Sequence, residues 1–430
     1  MSDEDGQEPQ ARDVPRILGA AVVVGLLAGA GVVAFLAVEH NLQKLLWTTV
    51  PDQLGGTPGW WVFAVLIAGA LGVWAALKLP GHGGHRPLDG LGFNIGPSAI
   101  GSVVVAALVS LSVGAVVGPE APLMAVGSAV AGFVAMRSQP AIRQVMMLAG
   151  AAAAITMILG NPMVSAVLIL EGAALKGSPG GRKVMFAVLP VLIAMGFGYL
   201  IQVGVGDWNG VGQSQLAVPG LPVYGQVEPI DLLMSVVVGI VTAGFAVFSV
   251  EAGTAYQNRV KHPLAGLLLA AAIVAGAAVA TRAITGQGVD VILFSGQAAI
   301  PTVLGITSVT TLLVIAVAKT LAYAVSLGGG FRGGMVFPAV YLGTVVGVAT
   351  PLLVSGTTSS PLVAAGIAAA VAGVLRLPFT GVLLALLLCA AAGLTVTTSA
   401  IIGSVIGVLV RVAADMRLKR TDPQPATEPA

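Results

Sequence analysis

The sequence predicts an all-α integral membrane protein: a helical bundle of many short, tilted or broken helices, built from two related halves. Three observations carry that prediction. Hydrophobic residues make up 57% of the 430 and charged residues 9%, with a mean hydropathy of +0.97, whereas soluble domains are about a quarter charged. Apolar segments follow one another along nearly the whole chain, and several are shorter than the ~20 residues a helix needs to cross the hydrocarbon core. Five glycine or proline positions recur at one constant spacing.

Taken in order, a polar and acidic tail runs from Met1 to about Arg16 and does not resemble a cleavable signal. Apolar segments at 17–38, 59–79, 99–117, 121–136, 145–171 and 184–204 form the first half, expected to span 17–204. Those at 230–250, 264–284, 302–327, 335–354, 361–375, 378–393 and 396–414 form the second, expected to span 226–414. A polar, proline-bearing tail follows from about Asp415, and both tails are expected to be disordered. Gly and Pro interrupt many segments where a helix would start or stop. Short, broken membrane helices are the kind that line a site at membrane depth. The 58 glycines fit, because small residues let helices approach closely where lipid supplies no hydrophobic drive.

Charge placement sets the expected orientation. The loops near 48–58 and 205–228 hold no Lys or Arg, while Arg137, Arg143, Lys176, Arg182, Lys183, Arg259 and Lys261 cluster in others. The positive-inside rule puts the basic set, and both tails with Arg417, Lys419 and Arg420, on the cytoplasmic side of the cell membrane. A single cysteine, Cys389, provides no disulfide framework and no cysteine metal site. The net charge of +2 comes without a basic cluster, so no nucleic acid is expected as partner and no cofactor is implied.

The internal repeat is the sharpest signal. Gly118 pairs with Gly334, Pro122 with Pro338, Gly127 with Gly343, Gly150 with Gly366 and Pro162 with Pro378, each 216 residues apart (334 − 118 = 216). The flanks agree: LAGAAAAI (148–155) against AAGIAAAV (364–371), and NPMVSAVLIL (161–170) against LPFTGVLLAL (377–386). Duplicated membrane chains often place a site at the interface of the two units. Gly118/Pro122 and Gly334/Pro338 mark two equivalent helix starts, whose free N–H groups and partial positive charge favour anions. Two such starts converging at mid-membrane would form a desolvated anion site without any full positive charge.

One ionisable residue falls in this motif. Glu120 in VVGPEAPLMAVG (116–127) has Asp89 and Arg137 as its nearest ionisable neighbours in sequence. Ionisable residues inside a membrane segment are functional by default. The alternative is that Glu120 only complements the dipole of its own helix.

These residues resemble a known family. GPEAP (118–122) is similar to the GxEGP-type motif of the CLC chloride channels and chloride/proton antiporters. GGMVFPAVYLG (333–343) is similar to their GGxFxPxLxxG motif, and NPMVSAVLILE (161–171) and RLPFTGVLLAL (376–386) to their proline-led closing helices. PGHGGHRPLDGL (80–91) stands where the family has GSGxPE. The resemblance covers roughly 17–414. It implies an inverted-repeat helical fold, a homodimer with one anion path per subunit, and bound central anions. It casts Glu120 as the gating carboxylate that competes with an anion and swings away on protonation. Gly118, Pro119 and Ala121 would line the outer anion site, and the backbone N–H groups of Met335, Val336 and Phe337 would face the central one.

The departures from the family bear on mechanism. The inner proton-donating glutamate of antiporters falls on Gly172, with Glu171 just before it, so Glu171 or water would have to carry protons. His82 stands where the family has an anion-coordinating serine; His82 and His85 could donate to an anion or sense pH, or be solvated loop residues. No tyrosine follows the last segment to close an inner gate. Val103 replaces a lysine common in the family, while its repeat partner Lys319 (103 + 216 = 319) keeps a cation near the path unless it snorkels to an interface. Arg332 and Arg376 could raise the local potential for anions, or lie at the membrane surface. The expected function is transport of small inorganic anions, chloride first, with proton-coupled exchange or fluoride selectivity as alternatives. A membrane enzyme using Glu120 with His82 or His85 lacks support, since HExxH, GxSxG and paired-aspartate motifs are all missing.

Overall fold

The computed structural model describes residues 14–90, 99–175, 181–204 and 217–421. Residues 1–13 and 422–430, which hold most of the two tails, lie outside the described residues, as do Lys176 and part of the 205–228 loop. The side chains of Arg182, Lys183, Lys419 and Arg420 are likewise outside them.

Sixteen α-helices are found among the described residues. The first half holds α1 (Val14–Lys44), α2 (Val50–Gln53), α3 (Gly59–Ala76), α4 (Ile100–Ser112), α5 (Glu120–Val134), α6 (Pro140–Leu159), α7 (Pro162–Leu175) and α8 (Gly181–Gly204). The second holds α9 (Pro229–Arg259), α10 (Pro263–Thr285), α11 (Ile300–Leu304), α12 (Val309–Gly329), α13 (Val336–Leu353), α14 (Ser359–Leu375), α15 (Pro378–Leu388) and α16 (Thr397–Thr421). Nine helical spans among the described residues are long and apolar enough to cross a membrane, and α4, α5, α7, α14 and α15 are shorter apolar helices. The chain is thus an all-α, multi-pass membrane protein.

Several boundaries differ from the sequence pattern, each for a local reason. The apolar run 145–171 is two helices. Gly160 ends α6 at φ 65, Asn161 Oδ1 accepts from Met163 and Val164 N–H at 2.9 and 3.3 Å, and Pro162 opens α7. The run 302–327 is broken at Ser308, whose side chain accepts from Thr311 N–H and so caps α12. The last helix continues to Thr421, past the expected boundary at 415.

Equivalent elements keep the 216 offset: α5 and α13 begin at 120 and 336, α7 and α15 at 162 and 378, α8 and α16 at 181 and 397. Their packing corresponds as well. α5 crosses α6 and α13 crosses α14, each at a glycine pair. A Cβ on Gly127 would run into the Gly150 carbonyl, and one on Gly343 into the backbone of Gly366, so only glycine permits these backbone contacts.

The halves meet through reciprocal hydrogen bonds. Gly118 N–H donates to Gly334 O at 2.9 Å and Gly334 N–H to Gly118 O at 2.6 Å, forming an isolated antiparallel bridge. Around it, Val116 N–H donates to Ser326 Oγ at 3.1 Å and Arg332 N–H to Ser110 Oγ at 2.9 Å. Val116 and Arg332 are 216 apart, as are Ser110 and Ser326. Equivalent residues that exchange equivalent bonds lie about a local two-fold axis, the relation of an inverted repeat.

Candidate functional site

The site forms where this axis passes. After α4 the chain turns at Gly114 (φ 91), bends at Val116 and reaches Gly118, with Glu120 fully buried, so α5 starts deep in the protein rather than at its surface. α5 has 15 residues, hence a length of about 22 Å, too short to span the hydrocarbon core. Pro119 is its N-cap and Pro122 sits in its first turn, where a missing N–H forfeits no helical bond. α13 starts the same way, with Met335 as N-cap and Pro338 in the first turn.

Glu120 is the first residue of α5 and fully buried. Its carboxylate does not stay on its own helix. Oε1 accepts from Phe337 N–H, in the first turn of α13, at 2.8 Å. Oε2 has no hydrogen-bond partner among the described residues. A Cβ on either Gly118 or Gly334 would collide with this carboxylate, so both glycines of the bridge also make its pocket. A negative oxygen therefore sits on the unsatisfied N–H groups at the start of the opposite repeat's helix. Tyr323 supports that start: its hydroxyl donates to Met335 O at 2.7 Å, from a fully buried ring. Tyr323 escaped the sequence reading, and only tertiary contact identifies it. The Ser110/Ser326 pair was detectable, because it obeys the same 216 spacing.

The remaining predicted residues divide. Met335, Val336 and Phe337 are all buried at the start of α13, and Ala121 lines a cavity beside α5. Lys319 is completely buried, so it does not snorkel. Its Nζ donates to the carbonyls of Ile292, Leu293 and Phe294 at 2.9, 3.0 and 3.0 Å, which uses all three of its hydrogens. It also lies 4.7 Å from the centre of the Tyr341 ring. Glu171 accepts from Phe379 N–H, Thr380 N–H and Thr380 Oγ1 at 2.9, 2.8 and 2.7 Å. It therefore caps α15 across the two-fold axis.

His82 is exposed at φ 51, with Nδ1 3.1 Å from Leu77 O, and its carbonyl accepts from Arg332 at 3.2 Å. The Ser102 hydroxyl, not a His82 group, receives the Gly83 N–H. Arg376 is exposed and paired with Asp415 at 2.7 Å, between the end of α14 and the start of α15, while Arg332 is buried. Among the described residues no group of three or more His, Cys, Asp or Glu is placed to hold a metal.

Comparison with known proteins follows this geometry. The model of the family described as voltage gated chloride channel matches residues 79–411, which include both helix starts and the Glu120 pocket. The chain belongs to that family. Its relatives include the YfeO proteins of Escherichia coli O139:H28 and Shigella flexneri serotype 5b, named for ion transport. Each is 26% identical over 360 residues, covering 79% of this chain and 80% of its relative. Among solved structures, a slow cyanobacterial Cl−/H+ antiporter superposes with a TM-score of 0.75 at 20% identity, over 95% of this chain and 98% of its own. A CLC-type fluoride/proton antiporter superposes at 0.69 and 17% identity, over 94% and 98%. Likeness at this identity speaks to the fold, and the fold is the CLC inverted-repeat bundle.

Proposed function

We propose that this chain carries small inorganic anions, chloride first among them, across a membrane along a path gated by Glu120. The observation that carries the reading is the Glu120–Phe337 hydrogen bond. A carboxylate from one repeat takes the place, at the helix start of the other, where an anion would be held by backbone N–H groups. Family membership supports the same reading. Gly118, Pro119, Ala121, Met335, Val336 and Phe337 line the anion position, with the membrane units at 17–204 and 226–414. The working form is a homodimer in the cell membrane with both termini cytoplasmic. The anion work needs no enzymatic step, cofactor or metal.

Protonation removes the charge that α13 attracts and lets the side chain leave. Anion flux should therefore rise as pH falls. The direct test is halide efflux from liposomes with simultaneous pH recording, for the native chain and Glu120→Gln. The substitution should remove the pH dependence and any proton movement. Unchanged pH dependence in the variant would reduce Glu120 to a dipole complement, and no halide or nitrate efflux from the native chain would sink the transport reading.

Proton-coupled exchange is the second reading, favoured by the names of both solved neighbours. Glu171 is unsuited to the inner proton step, because a relay must release its partners and Glu171 has three on α15. Coupling would run through water beside Gly172. Proton counter-movement in the efflux assay decides between the two readings, and a fluoride arm decides selectivity.

A further inference from the structure

We propose that Arg332 forms a second binding site for a small monovalent anion, in a cavity that Ala121 also lines and distinct from the helix starts that Glu120 fills. This rests on the reading of the chain as an anion carrier and adds a site to it.

Arg332 lies between α12 and α13, is 5% exposed, and enters no ion pair among the described residues. Its backbone N–H is held by Ser110 Oγ and one terminal nitrogen donates to His82 O at 3.2 Å. Nε and the other terminal nitrogen are buried without a hydrogen-bond partner among the described residues. A guanidinium has five N–H donors and cannot be neutralised by deprotonation in a protein. A buried one with free donors therefore calls for a negative or acceptor group.

The guanidinium borders a cavity of about 20 Å3. That exceeds the ~10–15 Å3 that a single water needs, so the space admits one atom-sized guest. Its other walls include Gly83, Val103, Ala107, Ala121 and Ala125, with His85 at the rim. Apart from His85, these carry no polar side chain. A halide wants donors only, which Arg332 supplies. The other charges acting on it, Arg86 and Asp89, are opposite in sign, and Asp89 already accepts from the Arg86 backbone N–H at 2.9 Å. Gly83 is required here, because a Cβ on it would press on Arg332 Nε at 3.0 Å and on Leu77.

Position gives the site its use. Ala121 follows Glu120 and Gly333 precedes Gly334, so an ion against the guanidinium waits beside the gated helix starts without touching Glu120 or Phe337. The equivalent of Arg332 in the first repeat is Val116. The waiting site therefore exists on one side of the two-fold axis only.

The test is bromide anomalous diffraction from crystals of the native chain, Arg332→Gln and Glu120→Gln, with halide efflux on the same proteins. The native chain should give a bromide peak within hydrogen-bond reach of the guanidinium, and Glu120→Gln should add one at the helix starts. Arg332→Gln should lose only the first peak, and its half-saturating halide concentration should rise about tenfold or more, while Arg332→Lys recovers part of that rise. If Arg332→Gln does not fold, Ala107→Val fills the cavity with the guanidinium intact and should abolish the same peak. Bromide at the helix starts of Glu120→Gln with none at Arg332 in any protein overturns the inference alone. Bromide at Arg332 with no halide efflux upholds the site and overturns the transport reading. A half-saturation unchanged in Arg332→Gln leaves Arg332 as a tether for the 81–85 loop and overturns the proposal.

Discussion

Replacing Glu171 separates a structural carboxylate from a proton relay. Glu171 on α7 receives three hydrogen bonds from Phe379 and Thr380, the second and third residues of α15. Hydrogen bonds to a charged group contribute about 1.5–3 kcal/mol each where they are well formed. Water reaching the half-buried carboxylate in the unfolded or loosened state offsets much of that, and caps measured singly contribute about 0.5–2 kcal/mol. Interaction with the α15 dipole adds about 0.3–1 kcal/mol. We expect Glu171→Ala to lose about 3 kcal/mol and Glu171→Gln about 1–2 kcal/mol, because glutamine keeps one acceptor but brings an NH2 group against two donors. The assay is unfolding by denaturing detergent from mixed micelles, with efflux and proton movement measured in parallel. Both variants should be less stable, alanine more so, and any proton coupling of the native chain should persist in the glutamine variant. Native-like stability together with lost coupling would refute the reasoning and make Glu171 a relay.

Lys319→Met should cost about 2–4 kcal/mol in the same unfolding assay, because it strands the carbonyls of 292–294, two of them in fully buried bonds; a neutral outcome would mean that this turn satisfies itself. Gly343→Val should lower stability by about 3 kcal/mol or prevent assembly, since α13 and α14 touch through bare backbone at Gly366; normal yield and unfolding midpoint would contradict that packing. Arg376 ends α14 at φ 63, the place that Gly160 takes in α6. Arg376→Val should therefore destabilise by about 1–2 kcal/mol, while Arg376→Gly stays within about 1 kcal/mol of native as strain relief offsets the surface pair with Asp415. Halide efflux should be unchanged in both, and a large loss of flux in Arg376→Gly would return this arginine to the anion path.

Much of the site was legible because its elements depend on backbone geometry. Glycines at 127, 150 and their partners are demanded by close backbone approach, those at 118 and 334 by the Glu120 carboxylate, and prolines at 122, 162 and their partners by helix starts. Such constraints leave residue identities on the chain, and a constant spacing exposes them. Side-chain roles were less legible. Glu171 looked like a stand-in proton carrier because sequence shows its neighbour Gly172 but not the α15 N-terminus that lies over it. Lys319 and Arg376 both looked like cations that could act on the anion path, yet one is spent on three carbonyls and the other is exposed and paired with Asp415. Arg332 could not be distinguished from Arg376 until burial separated them.

The sequence by itself determined the membrane environment, the duplication and the two helix starts, since hydropathy, glycine and proline act locally and repeat with the chain. Tertiary structure decided what each charge does, because a charge acts across space on whatever the fold brings to it. The two-fold axis sets four ionisable groups against aliphatic counterparts 216 residues away: Glu120 against Val336, Glu171 against Leu387, Lys319 against Val103 and Arg332 against Val116. A symmetric scaffold holds these groups on one side only. Burial then fixes their work, since a charge removed from water must be met by a helix end, a carbonyl or an ion.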